Sequence, residues 1–237
     1  MNEAPQLLIS VRNAEEAAAA LVGGADWIDL KEPDRGALGA VDASVAQDVV
    51  ACIDGRASIS AAGGELRDWT DGSARSLLEI GGIQVLKLGL SGLRDRPWQN
   101  EWLAAKREIE AAGKELAAVV YADEAAAASP PWNEILHMAS DSACRWILID
   151  TFDKQARSIF DCTSDSELRQ LFESARRGGC TVVAAGRLDL TAISRLPVHL
   201  LNIVGVRGAA CEGGRSGAVC RRRVAELRAV LSGCAMI

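Results

Sequence analysis

Short β-type runs alternate with helical stretches along the whole chain, and this alternation constrains the fold more than any other feature. The stretches between the runs carry Ala, Leu and charged residues at helical spacing, and several end in glycine, as 14–24, 102–114 and 167–179 show. The β-type runs themselves are 6–11, 27–31, 57–61, 85–90, 116–123, 145–151, 181–186 and 201–208. Strands that alternate with helices predict βαβ units and a parallel sheet.

Eight such units in 237 residues predict an α/β protein with one (β/α)8 TIM barrel, in which residues 1–237 form a single catalytic domain. A doubly wound sheet is the alternative that this pattern leaves open. Neither an opening GxGxxG fingerprint nor a GxxxxGK[ST] loop occurs to support that alternative. No linker or low-complexity tract divides the chain.

Composition argues against several classes of function. The net charge of −6 disfavours a broad nucleic-acid surface. The seven cysteines are scattered without CxxC spacing, which argues against a zinc ribbon or a disulfide framework and fits a reducing cytoplasm. The two histidines leave little for a metal site or a Ser-His-Asp triad, so we expect no metal and no cofactor. No apolar run reaches the ~18 residues of a membrane span, so we expect a cytoplasmic protein without a membrane partner.

Charged residues stand near the ends of several predicted strands, where TIM barrels hold their active sites. Asp29 and Lys31 lie two apart, so a strand points both side chains the same way. Lys87 interrupts an apolar strand, and Asp150 ends another with Lys154 just beyond it. Amines and carboxylates grouped in this way shift one another's pKa, and a lysine of lowered pKa can form a Schiff base. Structural ion pairs are the alternative for these residues.

Glycine-containing turns follow the seventh and eighth predicted strands. Gly186 ends the seventh strand, and the eighth contributes Gly205, Arg207 and Gly208. The loops after these strands often bind a phosphate in TIM barrels, through backbone N–H groups that glycine leaves accessible. A flexible surface loop is the alternative. Together with the lysines, these loops predict a small phosphorylated substrate that bears a carbonyl.

Four segments resemble the (5-formylfuran-3-yl)methyl phosphate synthase family, also called 4-(hydroxymethyl)-2-furancarboxaldehyde-phosphate synthase. They follow one another in the family's order over nearly the whole chain, and they are GGADWIDLKEPDRGALGA (23–40), VLKLGLSG (85–92), ILIDTFDKQARSIFD (147–161) and VGVRGAACEGGRSG (204–217). The resemblance implies an aldolase-like lyase of methanofuran biosynthesis. It would condense two molecules of glyceraldehyde 3-phosphate with loss of phosphate and water.

The resemblance also implies roles for the charged residues already selected. Lys31 matches the Schiff-base lysine, and Lys87 matches the lysine that accepts a proton. Asp29 and Asp150 match supporting aspartates, and Lys154 matches a further lysine. The chain departs from the family pattern at Glu32 and in residues 61–66 and 121–132. These differences put the details of the substrate loops in question, but they leave the lysines unchanged.

Two other functions remain open from the sequence. One is a Schiff-base aldolase that acts on a different sugar phosphate, and the other is a non-catalytic barrel that binds a phosphorylated metabolite. A furan chromophore among the products distinguishes the synthase from both. Barrel enzymes of this size commonly self-associate, so we expect a homo-oligomer.

Overall fold

Eight parallel strands form a closed barrel in a computed structural model that describes residues 4–70, 72–154 and 158–233. Each strand pairs with its neighbours in chain order, and the last pairs with the first. The strands are β1 (Gln6–Val11), β2 (Trp27–Leu30), β3 (Ser58–Glu65), β4 (Val85–Gly89), β5 (Glu115–Tyr121), β6 (Trp146–Asp150), β7 (Thr181–Ala184) and β8 (Ile203–Val206). The predicted barrel is therefore confirmed.

Helices lie between successive strands on the outside of the barrel, except that a 3-10 helix, Ser73–Glu79, joins β3 to β4. The α-helices are α1 (Ala14–Val22), α2 (Ala43–Ile53), α3 (Gln99–Ala111), α4 (Glu124–Ala127), α5 (Trp132–Asp141), α6 (Ile159–Cys162), α7 (Asp165–Arg177), α8 (Leu190–Arg195) and α9 (Arg221–Leu231). Shorter 3-10 helices are Pro33–Arg35, Leu66–Asp68, Val198–Leu200 and Gly208–Ala210. In the described part of the chain, no helix has the length and apolar character that a bilayer crossing requires.

Local signals explain where the helices begin and end. At α7, the Ser164 hydroxyl accepts a hydrogen bond from the Glu167 backbone N–H, and the Glu167 carboxylate accepts one from the Ser164 N–H. This capping box satisfies N–H groups that the first turn leaves without helical partners. The helix stops at Gly178 and Gly179, and the latter has a φ of 75° that disfavours other residues. The predicted helix 167–179 therefore starts and ends two residues earlier.

The third strand is longer than predicted, and its extra length affects the mouth of the barrel. The predicted strand ended at residue 61, whereas β3 continues to Glu65. Its register with β4 shifts between Ala62 and Glu65, so that Glu65 lies opposite Gly89. The Gly64 N–H donates to the Leu38 carbonyl at 2.9 Å, which supports the extension from the loop after β2.

The apolar core has two parts, and polar residues lie beyond it at the carboxyl ends of the strands. One cluster packs the outer strand faces against the helices and includes Trp98 and Trp102, whose rings meet edge to face at 6.4 Å. The other fills the barrel interior with residues such as Leu8, Val119 and Val183. Burial of each such side chain contributes about 1.5–3 kcal/mol. This core holds the strands rigidly beneath the charged residues.

Candidate active site

The carboxyl ends of the strands enclose a cavity of about 320 Å³ at one mouth of the barrel. Barrel enzymes hold their active sites at this end. All the residues predicted as catalytic or phosphate-binding contribute to its lining: Lys31, Lys87, Asp29, Asp150, Lys154, Gly186, Gly205, Arg207 and Gly208. Closure of the barrel thus brings into one cavity residues that are widely separated in the sequence.

Asp29 is fixed in orientation by three donors. Ser10 on β1 and Ser60 on β3 are its register partners, and each hydroxyl donates to a different oxygen of the carboxylate at 2.8 Å. The Lys87 ammonium donates to Oδ1 at 2.6 Å. The two serines were missed in the sequence, although polar residues in otherwise apolar strands are a signal for such a role. The carboxylate therefore holds the Lys87 amine in one place.

Asp150 brings the other two lysines together. Its Oδ1 accepts hydrogen bonds from the Lys154 ammonium and from the Thr151 backbone N–H, and its Oδ2 lies 3.7 Å from the Lys31 Nζ. Asp29 and Lys31 are neighbours in the sequence, yet each forms its ion pair with a residue from another strand. Three ion pairs, built on two separate carboxylates, therefore share one cavity.

Burial and charge set the protonation of this cluster. Burial, together with the nearby charge of Lys154, lowers the pKa of the Lys31 amine to about 7 against the opposing charge of Asp150. Burial also lowers the pKa of Lys154. It acts to raise the pKa of Asp150, but the charges of Lys154 and Lys31 outweigh it and hold that pKa below its usual value. Lys31 is therefore an amine that loses its proton near neutral pH, as a Schiff-base nucleophile requires.

The turn after β7 contributes backbone and charge to the cavity. Gly186 has a φ of 95°, and a Cβ there would lie 3.1 Å from Thr151 Cγ2, so glycine alone suits this position. Arg187 follows it with a φ of 53° and donates from Nη1 to the Lys154 carbonyl at 2.7 Å. The turn is thereby attached to the loop that carries Lys154.

The Arg207 guanidinium lines the cavity, but its N–H groups are already hydrogen-bonded within the protein. Its five N–H groups donate to the Glu16 carboxylate and to the carbonyls of Ser10, Arg215 and Gly217, at 2.8 to 3.3 Å. Burial acts to raise the pKa of Glu16, but its bonds to Arg207 and Arg12 hold that pKa below its usual value. Arg207 and Glu16 therefore form a buried ion pair that fastens the loop after β8 to the barrel.

Arg215 is a cavity residue that sequence reasoning missed. It lies in the glycine-rich segment after β8, and its Nη2 donates to the Gly36 carbonyl at 3.1 Å. Burial lowers the pKa of its guanidinium, against the opposing charge of Asp150. The bond to Gly36 joins two of the sequence segments noted above, the one after β2 and the one after β8, at the rim. In the sequence, the position of Arg215 in a glycine-rich segment after the eighth strand was the signal that could have identified it.

The chemistry of the cavity is that of amines and carboxylates, which suits nucleophilic and acid–base catalysis. Within the described residues, no group of three or more His, Cys, Asp or Glu side chains is placed to hold a metal ion. Cys52, Cys144, Cys180, Cys211 and Cys220 are free thiols. Cys234, and residues 155–157 of the segment 147–161, lie outside the described residues.

Solved structures share the fold at low sequence identity. Thiamine phosphate pyrophosphorylase from Pyrococcus furiosus aligns over 98% of each chain with a TM-score of 0.62 and 18% identity. Phosphoribosyl anthranilate isomerase from Thermus thermophilus aligns over 96% of this chain and 98% of its own, with a TM-score of 0.59 and 12% identity. These similarities support the barrel fold.

Proteins found by sequence comparison have a higher identity to this chain than these solved structures. A protein from Methanopyrus kandleri named (5-formylfuran-3-yl)methyl phosphate synthase is 31% identical over 96% of this chain and 99% of its own. The protein of the same name from Methanocaldococcus jannaschii is 30% identical over 94% of this chain and 97% of its own. The sequence profile described as 4-HFC-P synthase matches residues 7–228. The chain therefore belongs to the 4-HFC-P synthase family.

Proposed function

We propose that this protein is a lyase of methanofuran biosynthesis, which condenses two molecules of glyceraldehyde 3-phosphate to (5-formylfuran-3-yl)methyl phosphate through a Schiff base on Lys31. The observation that carries the proposal is the Lys31 amine, which is buried in the barrel mouth with a pKa of about 7. The names of the relatives support the product.

The first step is imine formation. The neutral Lys31 amine adds to the carbonyl carbon of the first triose, and loss of water from the adduct gives the imine. Asp150, 3.7 Å from Lys31, stabilises the positive charge that the nitrogen then carries. Lys154, on the other oxygen of Asp150, supplies a proton to the departing water.

The second step is removal of the C–H proton next to the imine carbon, which the iminium makes acidic. The Lys87 ammonium first gives a proton to Asp29 across their contact of 2.6 Å, and the neutral Lys87 amine then accepts the C–H proton. The resulting enamine carbon attacks the second triose. Ser10 and Ser60 keep Asp29, and through it Lys87, in the position this transfer requires.

The phosphate of the first triose binds at the loops after β7 and β8. Gly186 and Gly208 let the backbone approach the phosphate closely, and Arg187 and Arg215 supply positive charge from the cavity wall. Because the N–H groups of Arg207 are already hydrogen-bonded, that residue positions the loop after β8 and does not itself donate to the phosphate.

The overall reaction balances without any oxidant or reductant. Two triose phosphates contain the atoms of the furan phosphate, one phosphate and two waters. Aromatisation makes the last water loss favourable, and hydrolysis of the imine returns the Lys31 amine. Besides proton transfers and the formation and cleavage of one imine, the reaction forms one C–C bond and cleaves one C–O bond, whose electron pair leaves with the phosphate.

The test is reduction with borohydride in the presence of glyceraldehyde 3-phosphate, read by intact mass and peptide mapping. Parallel samples without borohydride are followed by near-ultraviolet absorbance for the furan. We expect a stable adduct on Lys31 and a growing furan signal. Lys31→Arg should abolish both, whereas Lys106→Arg, a control on α3 outside the cavity, should retain both.

Other results would identify one of the rival functions. An adduct on Lys31 without a furan would indicate a Schiff-base aldolase for another sugar phosphate. A folded protein that forms neither adduct nor furan would indicate a barrel that only binds a phosphorylated metabolite.

A further inference from the structure

A second cavity of about 1090 Å³ lies beside the first at the same mouth of the barrel. Its lining comes from the loop after β2, the end of β3 and the short helix α4. Three residues line both cavities and form the wall between them: Leu38, Lys154 and Arg215. A molecule in the second cavity would therefore lie directly beside one in the first.

The shared wall connects the second cavity with the nucleophile. Lys154 donates to one oxygen of Asp150, and Lys31 lies 3.7 Å from the other. A single carboxylate thus separates Lys31 from the amine of Lys154, a residue that also lines the second cavity. A carbonyl that reaches Lys154 from that side is close to an enamine held on Lys31.

The second cavity also contains a carboxylate held by neutral donors. The Tyr121 hydroxyl donates to Glu65 Oε1 at 2.6 Å, and the Ser91 N–H donates to Oε2 at 2.8 Å. Burial and the Glu65 charge raise the pKa of Tyr121, so its hydroxyl stays protonated as the donor. A Cβ at Gly89 would lie 2.3 Å from Glu65 Oε2, so glycine there makes room for the arrangement. Across the described residues, Glu65 forms no ion pair, and each of its oxygens accepts one hydrogen bond and keeps a lone pair that a substrate hydroxyl can use.

Positive charge for a phosphate is present two residues further on. Arg67 lines the second cavity, and its side chain is 48% exposed. In residues 4–70, 72–154 and 158–233, its one ion-pair partner is the neighbouring Asp68, at 3.5 Å through Nε. Arg35, the other arginine of the loop after β2, is instead held by two bonds to Asp42.

We propose that the second cavity binds the second triose phosphate, with its phosphate on Arg67, a hydroxyl on Glu65 and its carbonyl oxygen toward Lys154. This inference rests on the proposed condensation and adds a separate site for the other substrate molecule. The first triose stays on Lys31 with its phosphate at the loops after β7 and β8. The wall of Leu38, Lys154 and Arg215 then sets the orientation in which the two molecules meet.

The test blocks the second cavity without touching the first. Ala126→Trp places an indole at an exposed position of α4 that lines the second cavity, and Ala125→Trp places it at an exposed neighbour outside that lining. Because a misplacement by about 1 Å can cost on the order of a hundredfold, we expect Ala126→Trp to slow furan formation at least about tenfold. Borohydride trapping of glyceraldehyde 3-phosphate on Lys31 should stay within about twofold of the unmodified protein, since the first cavity is unchanged. Ala125→Trp should match the unmodified protein in both assays.

A second variant keeps the test decisive if the tryptophan disturbs folding. Arg67→Ala should raise the KM for furan formation by about tenfold or more, because a hydrogen-bonded charge contributes about 1.5–3 kcal/mol. Trapping on Lys31 should again persist. Arg222→Ala, on the outer helix α9, is the matched control and should change neither assay.

The possible results separate this inference from the proposed function. Furan formation by Arg67→Ala and by folded Ala126→Trp at the rate of their controls would overturn the second site and leave the condensation intact. If these variants lost borohydride trapping on Lys31 and furan formation to the same extent, both triose molecules would have to bind in one cavity. Absence of furan from the unmodified protein would overturn the condensation and the second site together.

Discussion

The charge of Asp150 raises the pKa of Lys31, the proposed nucleophile, and Asp150→Asn removes that charge. At 3.7 Å, two unit charges interact by about 4.5 kcal/mol at an effective dielectric constant of about 20, which corresponds to roughly three pKa units. Part of this effect is offset, because Lys154 also loses its partner and repels Lys31 less once it is neutral. We expect the Lys31 pKa to fall from about 7 by about one to two units.

The assay is reductive methylation with formaldehyde and cyanoborohydride, quantified at Lys31 by peptide mapping. The reaction needs the neutral amine and no substrate, so it reports the pKa separately from catalysis. With a pKa of about 7, the rate at pH 6 is about 0.1 of the rate at pH 8. In Asp150→Asn this ratio should rise to between about 0.5 and 0.9.

Asp141→Asn is the control, because this residue is an exposed carboxylate at the end of α5. Its ratio should stay at about 0.1, since exposed charges are strongly screened. A ratio in Asp150→Asn that equals the control, or falls below it, would refute the reasoning that Asp150 holds the proton on Lys31.

Further substitutions test the same cluster. The pKa of Lys31 is lower in the folded state than in the unfolded state, so the unfolded state binds more protons between pH 7 and 10.5. The free energy of unfolding should therefore rise with pH in this range, by up to about 1.4 kcal/mol per pH unit. Lys31→Met should lack this rise when unfolding is measured by urea titration. Asp29→Asn leaves the Lys87 ammonium buried without its partner and should lower the free energy of unfolding by about 3–5 kcal/mol, so a loss below about 1 kcal/mol would contradict the ion pair. Gly186→Ala forces a side chain into a φ of 95° and should cost about 1–3 kcal/mol of stability, measured by the same titrations. Arg215→Ala should raise the KM for glyceraldehyde 3-phosphate about tenfold or more, and an unchanged KM would remove Arg215 from the phosphate site.

The sequence alone was enough to predict the barrel and part of the lining of the main cavity. Strand and helix periods are local properties, so eight alternations sufficed to predict (β/α)8 closure. Lysine in an apolar strand, as at Lys87, is costly unless it has a partner, so such residues stood out. Because parallel strands bring their carboxyl ends to one mouth, residues at those ends were expected to meet.

Only the tertiary structure decided which charges pair. Asp29 lies in β2 and Lys31 directly follows that strand, but register places Ser10 and Ser60 beside Asp29. Lys87 pairs with Asp29, while Lys31 reaches Asp150. These partners depend on strand order and side-chain reach around a closed sheet, and neither is a local property of the sequence.

The roles of the arginines and of Glu65 also depended on the tertiary structure. Arg207 was expected among the residues of a phosphate-binding loop, yet its N–H groups are bonded to Glu16 and to backbone carbonyls. Glu65 reaches the mouth because β3 continues past a pair of glycines, which in a sequence favour a turn. Periodicity identifies strands and helices, but the hydrogen-bond partners of a buried charge follow from contacts between loops that only the closed barrel brings together.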